Sequence, residues 1–254
     1  MSTLPAEPAN GLEWFGQELE AALIHKGATQ RQLALASPAF AEGCDRFFNT
    51  SGYFARMLTR ISERGHPGWF VPYINLERQA GLVEDYSNAL IMGMFQTWEY
   101  AEATFRATFP YEADDQIKIR VEARLARREV LERDTTPLLW VILHEATLST
   151  VVGSRAVMAD QLHQLVTDAG KPHVTLQVLR YQTGAPASGT PFTLLTALDG
   201  ATVLYTEAMG RGNVTDSAQS VSHGRATFER LRASARDPEE SLALIRKIAE
   251  EYAR

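Results

Sequence analysis

The sequence predicts an α+β protein: a mainly helical N-terminal half packed on a small, mostly antiparallel sheet with flanking helices. Two observations carry this expectation. Before Pro137 apolar residues recur at helical spacing, whereas after it come four short runs of strand character, "LLWVIL", "VTLQVLR", "FTLLTAL" and "TVLYTEA". At 254 residues, 45% hydrophobic and 22% charged, the chain is long enough to bury a core in one or two domains.

Residues 1–12, rich in Pro, Ala and Asn, are expected to form a disordered leader. Residues 13–25 predict a helix with Phe15, Leu19, Ala22 and Leu23 on one side, stopped by Gly27. Thr29 and Gln32 have capping-box spacing and start a second helix at Gln30. Pro38 ends it early, and Ser37 and Pro38 serve as N-cap and first residue of a helix through "AFAEGCDRFF".

Residues 49–136 read as helical throughout. "YFARMLTRISERG" is amphipathic, and "HPGW" is a break. "VPYINLERQAGLVEDYSNAL" is expected as one helix and "TWEYAEATFRATF" as another. "DDQIKIRVEARLARREVLERD" is a long helix with acids at its start and Ile117, Val121 and Leu125 at every fourth position.

Residues 137–254 read as α+β. The strand "LLWVIL" is followed by the helix "SRAVMADQLHQLVTDAG", ended by Gly170. Three strands come next, the last two joined by a turn at Asp199 and Gly200, and two helices, "AQSVSHGRATFERLRASA" and "PEESLALIRKIAEEYA", close the chain. "GRGN" at 210–213 lacks a third glycine and reads as a loop, not a dinucleotide site.

The formal net charge of -6 leaves no overall basic surplus for phosphate binding, so any nucleic-acid contact needs a local patch. Cys44 is the only cysteine, which excludes an intramolecular disulfide and fits a small buried residue in a reducing compartment. The start of the chain has no basic segment followed by an apolar core, and "ALIMGMF" and "TPLLWVIL" are too short to span a bilayer. A cytoplasmic protein without membrane contact is expected.

No catalytic template is filled, and neither a cofactor nor a metal site is expected. "LHEAT" has no second His four residues after His144, and His25, His66, His163, His173 and His223 lie at no ligand-like spacing. There is no phosphate-binding loop and no nucleophile elbow. The densest charge feature is Arg120, Arg124, Arg127 and Arg128, which share or border one helix face. On spacing alone this is a solvated face balanced by Glu122, Glu129 and Glu132.

Five stretches, "RLARREVL" (124–131), "LHEATLSTVVGSRAVMADQLHQL" (143–165), "VTLQVLRYQTGA" (174–185), "GTPFTLL" (189–195) and "VLYTEA" (203–208), together resemble a large actinobacterial family. Its members join an XRE-type helix-turn-helix to a C-terminal domain of unknown function and are described as WhiJ-like or antitoxin-like transcriptional regulators. The family's Arg-x-x-Arg-Gln-x-x-Leu motif falls on Arg124, Arg127, Arg128 and Leu131, with Arg128 in place of Gln. Its Pro-Gly-Leu-Leu-Gln-Thr-x-x-Tyr-Ala signature falls on "MGMFQTWEYA", keeping Gly93, Gln96, Thr97, Tyr100 and Ala101, with Met92 in place of Pro.

The resemblance implies an effector or partner surface. Its candidate residues are Gln96, Thr97, Tyr100, Arg124, Arg127 and Arg128 with His144 and Glu145, where guanidinium groups suit an anionic ligand. Gly93 as a turn residue, and Gln96 and Thr97 as helix caps, remain the structural alternative. The stretch "LEWFGQELEAALIHKGATQRQLA" resembles the opening of the family's DNA-binding domain, and "PAFAEGCDRFF" the segment after it. The recognition helix between them is missing, which leaves residues 13–48 as a truncated helix-turn-helix and connecting helix, with Thr29, Gln30, Arg31 and Gln32 as the DNA-binding remnant.

The function expected is a non-enzymatic regulator acting through residues 49–254 on a small-molecule effector or small partner protein, with DNA binding weakened, lost, or dependent on a homo- or heterodimer partner. The alternative is a biosynthetic or ligand-processing enzyme on the same domain. A third reading is a DNA-binding regulator with a reorganised N-terminus.

Overall fold

The computed structural model describes residues 21, 40–54, 56, 65–133 and 135–254. The chain divides into two compact units, Met1–Arg64 and Gly65–Arg254. The expected leader, the first two expected helices and the remnant residues Thr29, Gln30, Arg31 and Gln32 lie outside the described residues.

In the first unit, helix α1 (Phe40–Phe48) buries Cys44 completely, as expected of a small apolar side chain. The chain then reverses through Asn49, Ser51 and Gly52, all at positive φ. The Asp45 carboxylate stabilises this turn, accepting from the Thr50 hydroxyl at 2.6 Å and the Phe54 backbone N–H at 3.0 Å.

The second unit is a six-stranded mixed sheet with helices on both faces, an α+β fold as the sequence predicts. Its first helix, α2 (Val71–Gln79), ends nine residues in, and the chain passes directly into strand β1 (Ala80–Ser87). The single helix expected over 71–90 is therefore wrong in its second half. A Cβ at Gly81 would lie 2.8 Å from Leu198 Cδ2, so the exposed Leu198 side chain would have to shift. Arg133 donates to the carbonyls of Arg78 and Ala80, which takes over from helical bonding at the α2 terminus. β1 lies between two other strands and is buried on both faces, so it lacks the polar-apolar alternation of a half-exposed strand.

The remaining elements are α3 (Trp98–Thr108), α4 (Asp114–Ala126), β2 (Leu138–His144), α5 (Ala146–Ser149), α6 (Arg155–Ala169), β3 (Val174–Leu179), β4 (Phe192–Ala197), β5 (Thr202–Ala208), β6 (Arg211–Thr215), α7 (Ala218–Ser234) and α8 (Pro238–Ala253). Caps foreseen or legible in the sequence fix several starts. Thr97, Ser154 and Asp237 accept from the backbone N–H groups of Tyr100, Val157 and Glu240. Gly170 follows α6 directly, and Gly200 turns β4 into β5 at φ 88°. "GRGN" is not a loop: Gly210, at φ 70°, makes a second hairpin turn and Arg211–Thr215 form an edge strand.

Strand order is β3-β2-β1-β4-β5-β6. β1, β2 and β3 are mutually parallel, while β1–β4, β4–β5 and β5–β6 are antiparallel. On one face Val83, Leu139, Val141, Leu143, Leu176 and Leu195 pack with α2, α6 and α8. On the other, Tyr86, Ile142, Phe192 and Leu194 meet Phe228 and Leu231 of α7. No described helix is long and apolar enough to cross a membrane.

Candidate functional site

Residues 91–97, between β1 and α3, form one 3-10 turn at Gly93–Phe95, and side chains of the segment itself, of α3 and of α6 satisfy further backbone groups. Gln96 donates through Nε2 to the Ile91 carbonyl at 2.6 Å, and Ile91 N–H donates to the Tyr100 hydroxyl at 3.3 Å. Gln161 of α6, fully buried, donates to the Phe95 carbonyl and accepts from Thr97 N–H, both at 2.8 Å. Gln96, Thr97 and Tyr100 are thus brought together, and Thr97 caps α3, the structural role left open for it.

The arginines of the 124–131 motif reach this segment from the end of α4 and the 3-10 turn Arg127–Leu131. Arg128 donates to the Met94 carbonyl at 3.1 Å and with Nη2 to both oxygens of Asp168, at 2.9 and 3.0 Å. Lys171 adds a second cation to Asp168, which is 1% exposed. Arg127 makes a two-point pair with Glu77 of α2, at 2.7 and 2.9 Å, and Tyr73 donates to the same carboxylate at 2.7 Å. Burial by itself would lower the Arg127 pKa, but the Glu77 charge and hydrogen bonds hold it above the usual value. The expected solvated arginine face is therefore wrong for Arg127 and Arg128: Arg127 is buried and Arg128 half-buried, each against a carboxylate.

Arg124 differs. Its Nη1 donates to Gln96 Oε1 at 2.9 Å, its guanidinium carbon lies 3.9 Å from the Phe105 ring centroid, and it forms no ion pair among the described residues. Burial and the neighbouring positive charge of Arg127 pull it down to about 10, with Glu207 and Tyr100 opposing. A Cβ at Gly93 would lie 2.5 Å from Arg127 Nη1, too close while Arg127 is held on Glu77. Arg120 is paired away from them, donating twice to Glu112 at 2.7 Å.

His144 and Glu145 do not join this group. They sit at the carboxyl end of β2, where His144 Nδ1 accepts from Ala146 N–H at 3.1 Å and its ring meets Tyr181. Glu145 accepts from Tyr181 N–H at 2.9 Å and pairs with Arg180 at 3.4 Å. Among the described residues no hydrogen bond, ion pair or ring contact connects either residue with the arginines.

Sequence reasoning missed a polar row in the middle of the sheet. Leu176, Val141, Asp85, Thr193, Tyr205 and Val214 stand opposite one another across all six strands, so two hydroxyl residues and one carboxylate are flanked by apolar neighbours. Asp85, 6% exposed, accepts from Ser87 at 2.7 Å and Thr193 at 2.8 Å. Burial raises its carboxyl to about 6 against the pull of those hydrogen bonds. Tyr205 donates to Glu207 at 3.2 Å and packs on Tyr73 at 4.3 Å between ring centroids; burial and Glu207 push its phenol upward. His66 stands near the arginines, and burial with the Arg127 charge lowers it to about 4. The acids Glu84 and Asp85 inside an otherwise strand-forming run were the one signal of this row in the sequence. Among the described residues no three His, Cys, Asp or Glu side chains gather as a metal site.

A mixed sheet covered by helices, with a polar row on one face and an arginine group beside it, defines an α+β domain. The profile of the family described as "Domain of unknown function (DUF5753)" matches residues 70–247, and the chain belongs to that family. No curated protein and no solved structure matches the chain.

Proposed function

We propose that the chain is a regulatory protein acting through the domain over residues 70–247, which takes an anionic small-molecule effector or the anionic group of a small partner at Arg124, with DNA binding weakened or lost. One observation carries the reading. Arg124 is half-buried with only neutral contacts, Gln96 and Phe105, while Arg127 and Arg128 beside it each hold a carboxylate. A half-buried guanidinium without a contact ion pair among the described residues, acted on by Glu207 only from a distance, favours an incoming carboxylate or phosphate. The resemblance to XRE-type, WhiJ-like and antitoxin-like actinobacterial regulators supports the regulatory role, and a lone cysteine fits a cytoplasmic one.

The test is a thermal-shift and calorimetric screen of the full chain against carboxylate- and phosphate-bearing metabolites, run in parallel on Arg124→Gln. At least one anion is expected to raise the melting midpoint of the native chain and not of the variant. An equal shift in both, or none across the screen, refutes the effector site.

Asp85 favours a second reading, an enzyme on the same domain. A buried carboxyl near pH 6 beside two hydroxyls is poised for proton transfer. Under this reading Asp85→Asn abolishes turnover of a substrate without altering its binding; a native chain that binds its anion and consumes none supports the regulator.

A further inference from the structure

The two edges of the sheet are finished differently. At β3 the Val178 carbonyl accepts from Arg236 N–H at 3.0 Å and Val178 N–H donates to Ser241 Oγ at 2.9 Å, so the start of α8 stands where a further strand would pair. At the opposite edge β6 pairs with β5 on one side only, and among the described residues its backbone groups bond to nothing else. A free strand edge is a template for another strand, and proteins commonly blunt it with proline, lysine or a bulge. Arg211–Thr215 contains none of the three.

The strand is also complementary to itself. Laid antiparallel against a second copy and centred on Asn213, all five residues find a partner: Asn213 meets the Asn213 of the other copy, Gly212 meets Val214, and Arg211 meets Thr215. A shift of register in either direction leaves end residues unpaired. Val214 then stands beside Gly212 of the other copy, where the half-buried Trp69 ring lies 2.7 Å from the place of a Cβ, so an apolar side chain arrives against an aromatic one. The charges agree with this register. Arg211 opens the strand and Asp216 follows it, both exposed and neither in an ion pair among the described residues, and the two-fold axis sets each Arg211 against the Thr215–Asp216 end of the other copy.

We propose that β6 is a dimerisation edge: two copies of the chain pair β6 on β6 around Asn213, joining their six-stranded sheets into one. The interface contains neither Arg124 nor its contacts and goes beyond the effector reading.

The experiment is sedimentation equilibrium of the full chain and of variants at Arg211, Asn213 and Asp216, all exposed positions. The native chain is expected at twice its monomer mass in the micromolar range. Asn213→Lys opposes two like charges at the axis and weakens association about ten-fold or more. Arg211→Glu opposes like charges at both ends and weakens it about ten-fold, and Arg211→Glu with Asp216→Arg restores native affinity, a recovery that a misfolded variant could not give. Asn213→Cys forms an intermolecular disulfide under mild oxidation, because directly opposed residues lie within disulfide reach and the native Cys44 is fully buried. A monomer throughout the micromolar range, a dimer indifferent to Asn213→Lys, no recovery in the double variant, or an Asn213→Cys chain that does not cross-link overturns the assignment.

Discussion

Arg127 and Glu77, 50 residues apart in the chain, meet in a two-point ion pair in which the arginine side chain is 8% exposed and the glutamate 0%. The pair joins the end of α2 to the turn after α4. The Arg127 charge also acts, behind burial, on Asp85, His66, Tyr73 and Tyr205.

Removing one partner leaves the other charge buried and unpaired. Arg127→Met is expected to cost about 3–5 kcal/mol in urea unfolding, and Arg127→Met with Glu77→Leu to recover most of that loss. A double variant as unstable as the single one would show that the pair contributes through packing instead.

Gln161 holds the 91–97 segment with both ends of its amide. Gln161→Leu strands the Phe95 carbonyl and the Thr97 N–H, with an expected loss of about 3 kcal/mol. Hydrogen exchange at Thr97 should accelerate more than at α8, which makes no bond to that segment; uniform acceleration would contradict the assignment.

Asp85 and His66 give opposite pH dependences. The Asp85 carboxyl rises from 3.8 to about 6 on folding, so its contribution is intact below pH 3.8 and is lost as pH rises through 6, about 3 kcal/mol in all. His66 falls from 6.5 to about 4, so its contribution is intact above pH 6.5 and is lost as pH falls through 4. Between pH 4 and 6 the two oppose each other in the native chain. Asp85→Asn should therefore become less stable as pH falls across that window, and His66→Gln more stable; denaturant midpoints at half-unit intervals read both signs.

The DNA-binding reading rests on residues 29–32, and a net charge of -6 stands against it. At most weak, sequence-indifferent binding that disappears with added salt is expected, because phosphate contacts alone release counterions and read no bases. Fluorescence anisotropy with the protein's own promoter fragments, at near-physiological salt and with scrambled competitor, measures it. Tight binding that survives the competitor moves the DNA-binding regulator to first place.

By itself the sequence determined the elements whose causes are local. α6 and α8 follow from helical periodicity and the caps Ser154 and Asp237, α7 from periodicity, β4 and β5 from strand-forming runs around Asp199 and Gly200, and the meeting of Gln96, Thr97 and Tyr100 from one contiguous motif. Tertiary structure decided β1. "LVEDYS" carries two acids and no alternation, and becomes a strand because β2 and β4 supply its hydrogen bonds on both sides. It also decided the arginines. Arg124, Arg127 and Arg128 are alike in sequence, but Glu77 and Asp168, 50 and 40 residues away along the chain, neutralise two of them and leave the third. Helical spacing sets the direction in which a side chain leaves its own element; the charge that waits there comes from another element, and long-range packing alone brings it within reach.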